Sequence, residues 1–215
     1  MDEANFEELI QVAYLQRFPP QVQLIAEGEP ADFLHIVVEG TVELFAAAQG
    51  RETTLALVQP VSTFILAATL KDAVYLMSAR TIEKSRILII PSESIRTSLA
   101  CDASLARVMV SELAKSYRDM VKTLKNQKLR TAVERLANYL LRKHFEQGRA
   151  DKVTLQIDKK TLAALLGMTP ENLSRAFATL RPYGVIVNGR EIELTNLEDL
   201  RRLAKPTALI DQPSR

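Results

Sequence analysis

Between Ala103 and Gln127 the apolar residues Ala106, Val110, Leu113, Tyr117, Met120 and Leu124 are spaced by four, three, four, three and four. This is an a/d heptad seam, repeating every 3.5 residues. The stretch therefore reads as one long helix, around which the rest of the chain must be arranged. A second stripe, Leu105, Val108 and Met109, gives the helix another apolar face. One face can pack on the chain's own upstream part, and the other then needs a partner. The preferred reading is a parallel contact with the same helix of a second copy, hence a homodimer. The alternative is burial of both faces within one monomer.

Upstream, residues ~20–98 are rich in β-branched residues and short alternations. IVVEGTVELF (36–45) holds two strand candidates with a turn at Gly40, and TTLALV (53–58), VYLMSA (74–79) and SRILIIP (85–91) are further ones. Several short strands separated by turn signals suggest an antiparallel roll or barrel.

Downstream, RTAVERLANYLLRKHF (130–145) has helical spacing and VTLQI (153–157) reads as a short strand. Asp158 then caps a short helix, KKTLAALL, which ends at Gly167. Thr169 caps the next helix and Pro170 fits its first turn, where no N–H is needed. That helix runs to about Tyr183 and stops at Gly184. Asn188-Gly189 between apolar alternations signals a β-hairpin. Short helix, glycine turn, capped helix and hairpin make a helix-turn-helix with a wing.

On the second helix of this motif Leu173, Phe177 and Leu180 form the stripe to be buried, leaving Glu171, Ser174, Arg175 and Ala178 largely off it. In helix-turn-helix proteins the N-terminal residues of that helix meet base edges in the major groove. Arg can donate two hydrogen bonds to guanine, Glu can accept from cytosine N4, and Ser is short enough to serve either way. Glu171, Ser174 and Arg175 are thus the candidate base readers. Thr169, Lys159, Lys160 and, in the wing, Arg190 are candidate phosphate contacts, the three cations being otherwise ordinary solvated charges. The bland alternative is a helical packing module carrying a Glu171–Arg175 surface pair.

Charge agrees with an acidic partner at this end. Residues 130–215 hold 15 Lys/Arg against 10 Asp/Glu, and residues 1–129 hold 13 against 16. No apolar run reaches the ~18 residues of a membrane span. The acidic start, MDEANFEELIQ, is unlike a secretory leader. The lone Cys101 excludes an intrachain disulfide or an all-cysteine metal site within one chain, and a reducing cytoplasm is the expected location. No phosphate-binding glycine loop, metal-ligand spacing or nucleophile elbow occurs, so no enzyme is expected. The remaining rival is a ligand-binding or protein-interaction module whose helix-turn-helix is only structural.

The order of parts resembles the cyclic-AMP receptor/FNR superfamily of bacterial transcription regulators over nearly the whole chain. EGEPADFLHIVVEGTVELF (27–45) is similar to its β-roll signature, the 103–127 helix to its dimer helix, and LAALLGMTPENLSRAFATLRPYGVI to its DNA-reading motif. The resemblance implies an α+β chain: a cyclic-nucleotide-binding-like β-roll (1–102), a dimerisation helix (103–129), a winged helix-turn-helix (130–205) and a loosely ordered tail (206–215). Glu-x-x-Ser-Arg marks the FNR-like branch; the cyclic-AMP branch usually has Arg before the Glu, where this chain has Pro170. A two-fold repeat of a TTGA-type half-site in promoter DNA and RNA polymerase as a partner are implied. VSTFILAATLKDAVYLMSARTIEKS and MTPENLSRAFATLRPYGV are also similar to the FtrB group, associated with ferrous iron transport in alphaproteobacteria.

In the cyclic-nucleotide binders of this superfamily a Gly-Glu pair and an Arg-Ser/Thr pair hold ribose and cyclic phosphate. Aligned back from IIP (89–91), those places fall on Ile65, Leu66, Tyr75 and Leu76. A phosphate needs donors and positive charge, so cyclic AMP is not the expected ligand. The N-terminal cysteine set of the superfamily's oxygen sensors is missing and Cys101 alone cannot hold a cluster, so an Fe–S cluster is not expected either. An apolar slot suits haem, for which His35 is the candidate ligand, but a filled core is the preferred reading. His144 sits near a helix end, where a cation favours the dipole.

Overall fold

The structure, a computed structural model, describes residues 2–148 and 152–212. It forms two compact units, Met1–Ala114 and Lys115–Arg215.

The first unit opens with helix α1 (Glu3–Gln11) and continues through strands β1 (Tyr14–Phe18), β2 (Gln23–Ile25), β3 (Phe33–Glu39), β4 (Val42–Ala48), β5 (Arg51–Val58) and β6 (Ser62–Phe64). Helix α2 (Leu66–Lys71), strands β7 (Ser78–Thr81) and β8 (Ser85–Pro91) and helix α3 (Ser92–Cys101) follow. The strands make two four-stranded antiparallel sheets, ordered β1-β8-β3-β6 and β2-β7-β4-β5. Val37, Val42, Ala79 and Ile87 lie fully shielded between them, so the roll has an ordinary apolar interior. Gly40 turns β3 into β4 at φ +87°, and a Cβ there would come within 2.6 Å of the Lys84 carbonyl oxygen. Only glycine fits that turn.

A second cluster, Leu9, Leu34, Leu66, Ile90, Ile95 and Leu105, joins the roll to α1, α3 and the first turn of helix α4 (Ala103–Leu129). Asp102 caps α4 by accepting from Leu105 N at 2.9 Å and Ser104 N at 2.8 Å, and its other oxygen accepts from Asp2 N at 2.7 Å. Those donors, Leu105 first, hold its carboxyl far below the usual range. The acidic N-terminus is therefore a helix pinned to the start of α4.

The second unit takes in the C-terminal part of α4, then α5 (Ala132–Glu146), strand β9 (Lys152–Thr154), helices α6 (Lys159–Leu165) and α7 (Pro170–Leu180), a 3-10 turn (Arg181–Tyr183), strands β10 (Val185–Asn188) and β11 (Glu191–Leu194), and helices α8 (Leu197–Ala204) and α9 (Ala208–Asp211). Thr131 starts α5 with a full capping box: Glu134 N donates to its hydroxyl and Thr131 N donates to the Glu134 carboxylate. The sheet order is β10-β11-β9. Leu136, Leu140, Leu162, Leu173, Leu180, Ile192 and Leu200 are fully buried beneath these elements.

Three expectations change. In VYLMSA only residues 78–79 are strand, because Tyr75 N and O pair with Glu29 O and Gly28 N instead of a ladder. The stretch after Lys205 is not loose through residue 212: Thr207 caps α9, and Arg130 grips Asp211 through two bonds of 2.7 and 2.6 Å. Val108 does not share the Leu105–Met109 face. It is 55% exposed, since it lies about 60° round the helix from Leu105, on the side away from Met109. Leu113 leans with Met109 on the roll's second cluster, whereas Val110, Tyr117, Met120 and Leu124 are exposed and Ala106 is half-buried.

Candidate nucleic-acid interface

Helices α6 and α7 meet at a turn built from local chemistry. Asp158 caps α6, accepting from Thr161 N at 2.7 Å, and that bond leads in holding its carboxyl below the usual range. Gly167 takes φ +62° at the turn. Thr169 caps α7 by accepting from Asn172 N at 3.3 Å, and Pro170 occupies the first helical position.

Once started, α7 is strongly two-faced. Leu173, Ala176, Phe177 and Leu180 are buried. Glu171, Ser174, Arg175 and Ala178 are all exposed on the other side. The first three thus share the solvent face of the N-terminal part of α7. Among the described residues Glu171 and Arg175 form no direct ion pair. Arg175 Nη2 donates to Asn172 Oδ1. The Thr169 hydroxyl bonds the Glu171 carboxylate and is the main cause of its lowered pKa, the Arg175 charge contributing less. Thr169 thereby uses its hydroxyl within its own turn, as acceptor from Asn172 N and partner of Glu171.

Lys159 and Lys160 are exposed at the start of α6, and Arg190 is exposed beside Gly189 at the hairpin turn. Leu155 N donates to Arg190 O at 2.8 Å, and the Arg190 charge is felt at Asp158, so the wing turn and the start of α6 are neighbours. Lys152 lies 3.6 Å from Glu191 and 3.3 Å from Glu193, offsetting the acidic side chains of the wing. The sequence pattern does not mark Asn172 or Arg135. For Asn172 the available signal is an acceptor one helical turn before Arg175.

Of the four effector-slot positions, Ile65 and Tyr75 share the roll's core cluster, whereas Leu66 and Leu76 lie outside it. Leu66 packs in the cluster with Leu34 and Ile95, and Tyr75 lies in the roll core with its hydroxyl donating to Phe33 O at 3.2 Å. Ile65 is half-buried at φ +58°, and Leu76 faces solvent at 75% exposure. His35 is buried and stacked on Phe64, ring centroids 5.2 Å apart. Burial lowers its pKa to about 4, against a backbone hydrogen bond with Phe33. His144 lies in the last turn of α5 and is buried as well. Among the described residues no three His, Cys, Asp or Glu side chains are grouped to hold a metal ion, and no helix is long and apolar enough to cross a membrane.

A β-roll, a long helix and a winged helix-turn-helix with a polar outer face on its second helix define a DNA-binding regulator of two-domain type. Residues 134–203 match the Crp-like helix-turn-helix domain and residues 15–100 the cyclic nucleotide-binding domain. The chain belongs to the Crp/Fnr family of transcription regulators. It is 27% identical over 194 residues, 87% of each chain, to the CRP-like cAMP-activated global transcriptional regulator of Mycobacterium tuberculosis. It is 29% identical over 178 residues, 81% of each chain, to the cyclic AMP receptor protein of Thermus thermophilus. The structure of FixK2 from Bradyrhizobium japonicum has the same fold, with a TM-score of 0.78 at 24% identity, covering 92% of this chain and all of that one.

Proposed function

We propose that this regulator works as a homodimer in the cytoplasm and reads a palindromic TTGA-type site in promoter DNA, Glu171, Ser174 and Arg175 contacting base edges. The observation that carries this reading is the division of α7: four buried apolar residues on one side, and these three polar ones exposed on the other near the helix N-terminus. Arg175 supplies the fork that matches guanine O6 and N7, Glu171 an acceptor for cytosine N4, and Ser174 a short hydroxyl. Lys159, Lys160 and Arg190 supply phosphate contacts, which fix register without reading sequence. Thr169 adds to them only by releasing a hydroxyl that the free protein uses internally. The exposed line of Val110, Tyr117, Met120 and Leu124, continued by Ala106 and the half-covered Leu113, supports a dimer seam along α4. Two copies would set two α7 helices about one DNA turn apart. RNA polymerase is the onward partner by family, and no catalytic role is assigned.

For the roll we infer an input other than cyclic AMP, although both relatives above carry that nucleotide in their names. Ile65, Leu66, Tyr75 and Leu76 offer a cyclic phosphate one hydroxyl, and Tyr75 already spends it on Phe33 O. Haem at His35 would require the imidazole to leave its stack on Phe64. The FtrB-like segments suggest targets in ferrous iron transport.

Fluorescence anisotropy with a TTGA-palindrome duplex and a scrambled duplex tests the reading. Arg175→Ala should lose ~1–3 kcal/mol of cognate affinity and relax selectivity at one base pair. Equal binding of both duplexes by wild type, or of the palindrome by both proteins, would leave the helix-turn-helix a structural module only.

A further inference from the structure

Arg135, on the first turn of α5, makes all its described hydrogen bonds to backbone carbonyls. Its Nε donates to Leu166 O at 2.8 Å and its Nη2 to Gly167 O at 3.3 Å, both in the turn between α6 and α7. On its other edge Nη1 donates to Arg130 O at 2.7 Å and to Gln127 O at 3.5 Å, where α4 gives way to α5. Among the described residues no carboxylate pairs with it. Gly167 supports the same geometry from the opposite side: a Cβ there would rest 3.5 Å from the Gln127 side-chain amide, so the turn lies against the last turn of α4.

Two helix C-termini, those of α4 and α6, therefore converge on one guanidinium. The last carbonyls of a helix have no partner within it and carry the negative end of its dipole. Brought together unaided, they would repel and stay unbonded. A planar fork with donors on two edges satisfies both sets at once, which a single ammonium cannot. We propose that Arg135 is the positioning residue of the DNA-reading motif, fastening the turn ahead of α7 to the α4–α5 junction and so setting the angle at which Glu171, Ser174 and Arg175 are presented. This rests on the DNA-reading role proposed above.

The test compares full-length wild type, Arg135→Lys and, as a control on the same helix, Arg142→Lys. Arg135→Lys keeps the charge but loses the fork. Hydrogen exchange of peptides covering 164–172 should speed up about tenfold in this variant, the scale of one lost charge-assisted hydrogen bond. Peptides covering the hairpin, 185–194, should keep their wild-type rate. Affinity for the TTGA palindrome should fall about tenfold, on the same scale, while affinity for the scrambled duplex holds because the net charge is unchanged. Arg142→Lys should match wild type throughout. Unchanged exchange in 164–172 would overturn the proposal. So would faster exchange spread evenly over the unit, the mark of an ordinary structural arginine, or an equal loss on both duplexes. Should wild type itself fail to prefer the palindrome, the DNA-reading role falls instead, and the exchange comparison decides the clamp by itself.

Discussion

Acidification probes the roll through a single side chain. His35 is buried on β3 against Phe64, and desolvation lowers its pKa from 6.5 to about 4 despite the opposing hydrogen bond with Phe33. An unfolded chain takes up this proton near pH 6.5, the folded chain only near 4. Between those values the unfolded state binds more protons, so folding stability falls as pH falls. The full contribution is present above about pH 6.5 and is lost progressively toward pH 4. From the two pKa values the loss at pH 5 relative to pH 8 is about 2 kcal/mol, approaching about 3 kcal/mol below pH 4. Urea unfolding at pH 8, 6 and 5 should follow that curve in wild type. In His35→Leu the same component should vanish, because a leucine fills the site without titrating; the difference between the proteins removes what the other groups contribute. An imidazole NMR signal for His35 titrating at or above pH 6.5, or the same pH slope in both proteins, would refute the reasoning.

Gly40→Ala should cost about 2 kcal/mol or more in urea unfolding, because φ +87° and the Lys84 carbonyl leave no place for a methyl group; an unchanged midpoint would contradict that. Asp211→Asn leaves the nearly buried Arg130 guanidinium short of its charged partner and should cost about 2 kcal/mol, with wild-type stability speaking against any such anchoring of α9. Leu124→Glu should turn a dimer into a monomer in sedimentation at micromolar concentration; one species shared by both proteins would remove the proposed seam. Cognate DNA affinity should fall steeply with salt, as Lys and Arg displace counterions from phosphate, and a flat dependence would exclude phosphate contacts by Lys159, Lys160 and Arg190.

The DNA-reading unit was legible because its signals are local. Asp158, Gly167, Thr169, Pro170, Gly184 and Asn188-Gly189 each act within a few residues, and each marks the boundary it was assigned. The buried stripe of α7 followed from spacing alone. What escaped depended on distant partners. Tyr75 looked like strand, but its backbone pairs with the turn at Gly28 and Glu29, some 46 residues away. Arg135 is one cation among others in an amphipathic helix, and its partners are carbonyls, which no side-chain pattern reveals. The tail after Lys205, with two prolines, gave no hint that Asp211 would meet Arg130. The division of α4 into covered and exposed faces is half legible: spacing finds both stripes but puts on the covered one Val108, which belongs to neither.

The apolar packing of the first unit offers a route by which the proposed input at the roll would reach the long helix. Leu66, one of the proposed slot positions, belongs to one continuous apolar cluster with Leu105 of α4, and Met109 and Leu113 pack against that cluster. Close-packed interiors transmit volume changes rather than absorb them. A ligand that displaced Leu66, or a change in the α1 contacts to Asp102, would therefore be felt at the start of α4 without any charged phosphate contact. Under the proposed reading, an input through the roll would act on α4 by apolar packing rather than through ribose or phosphate contacts.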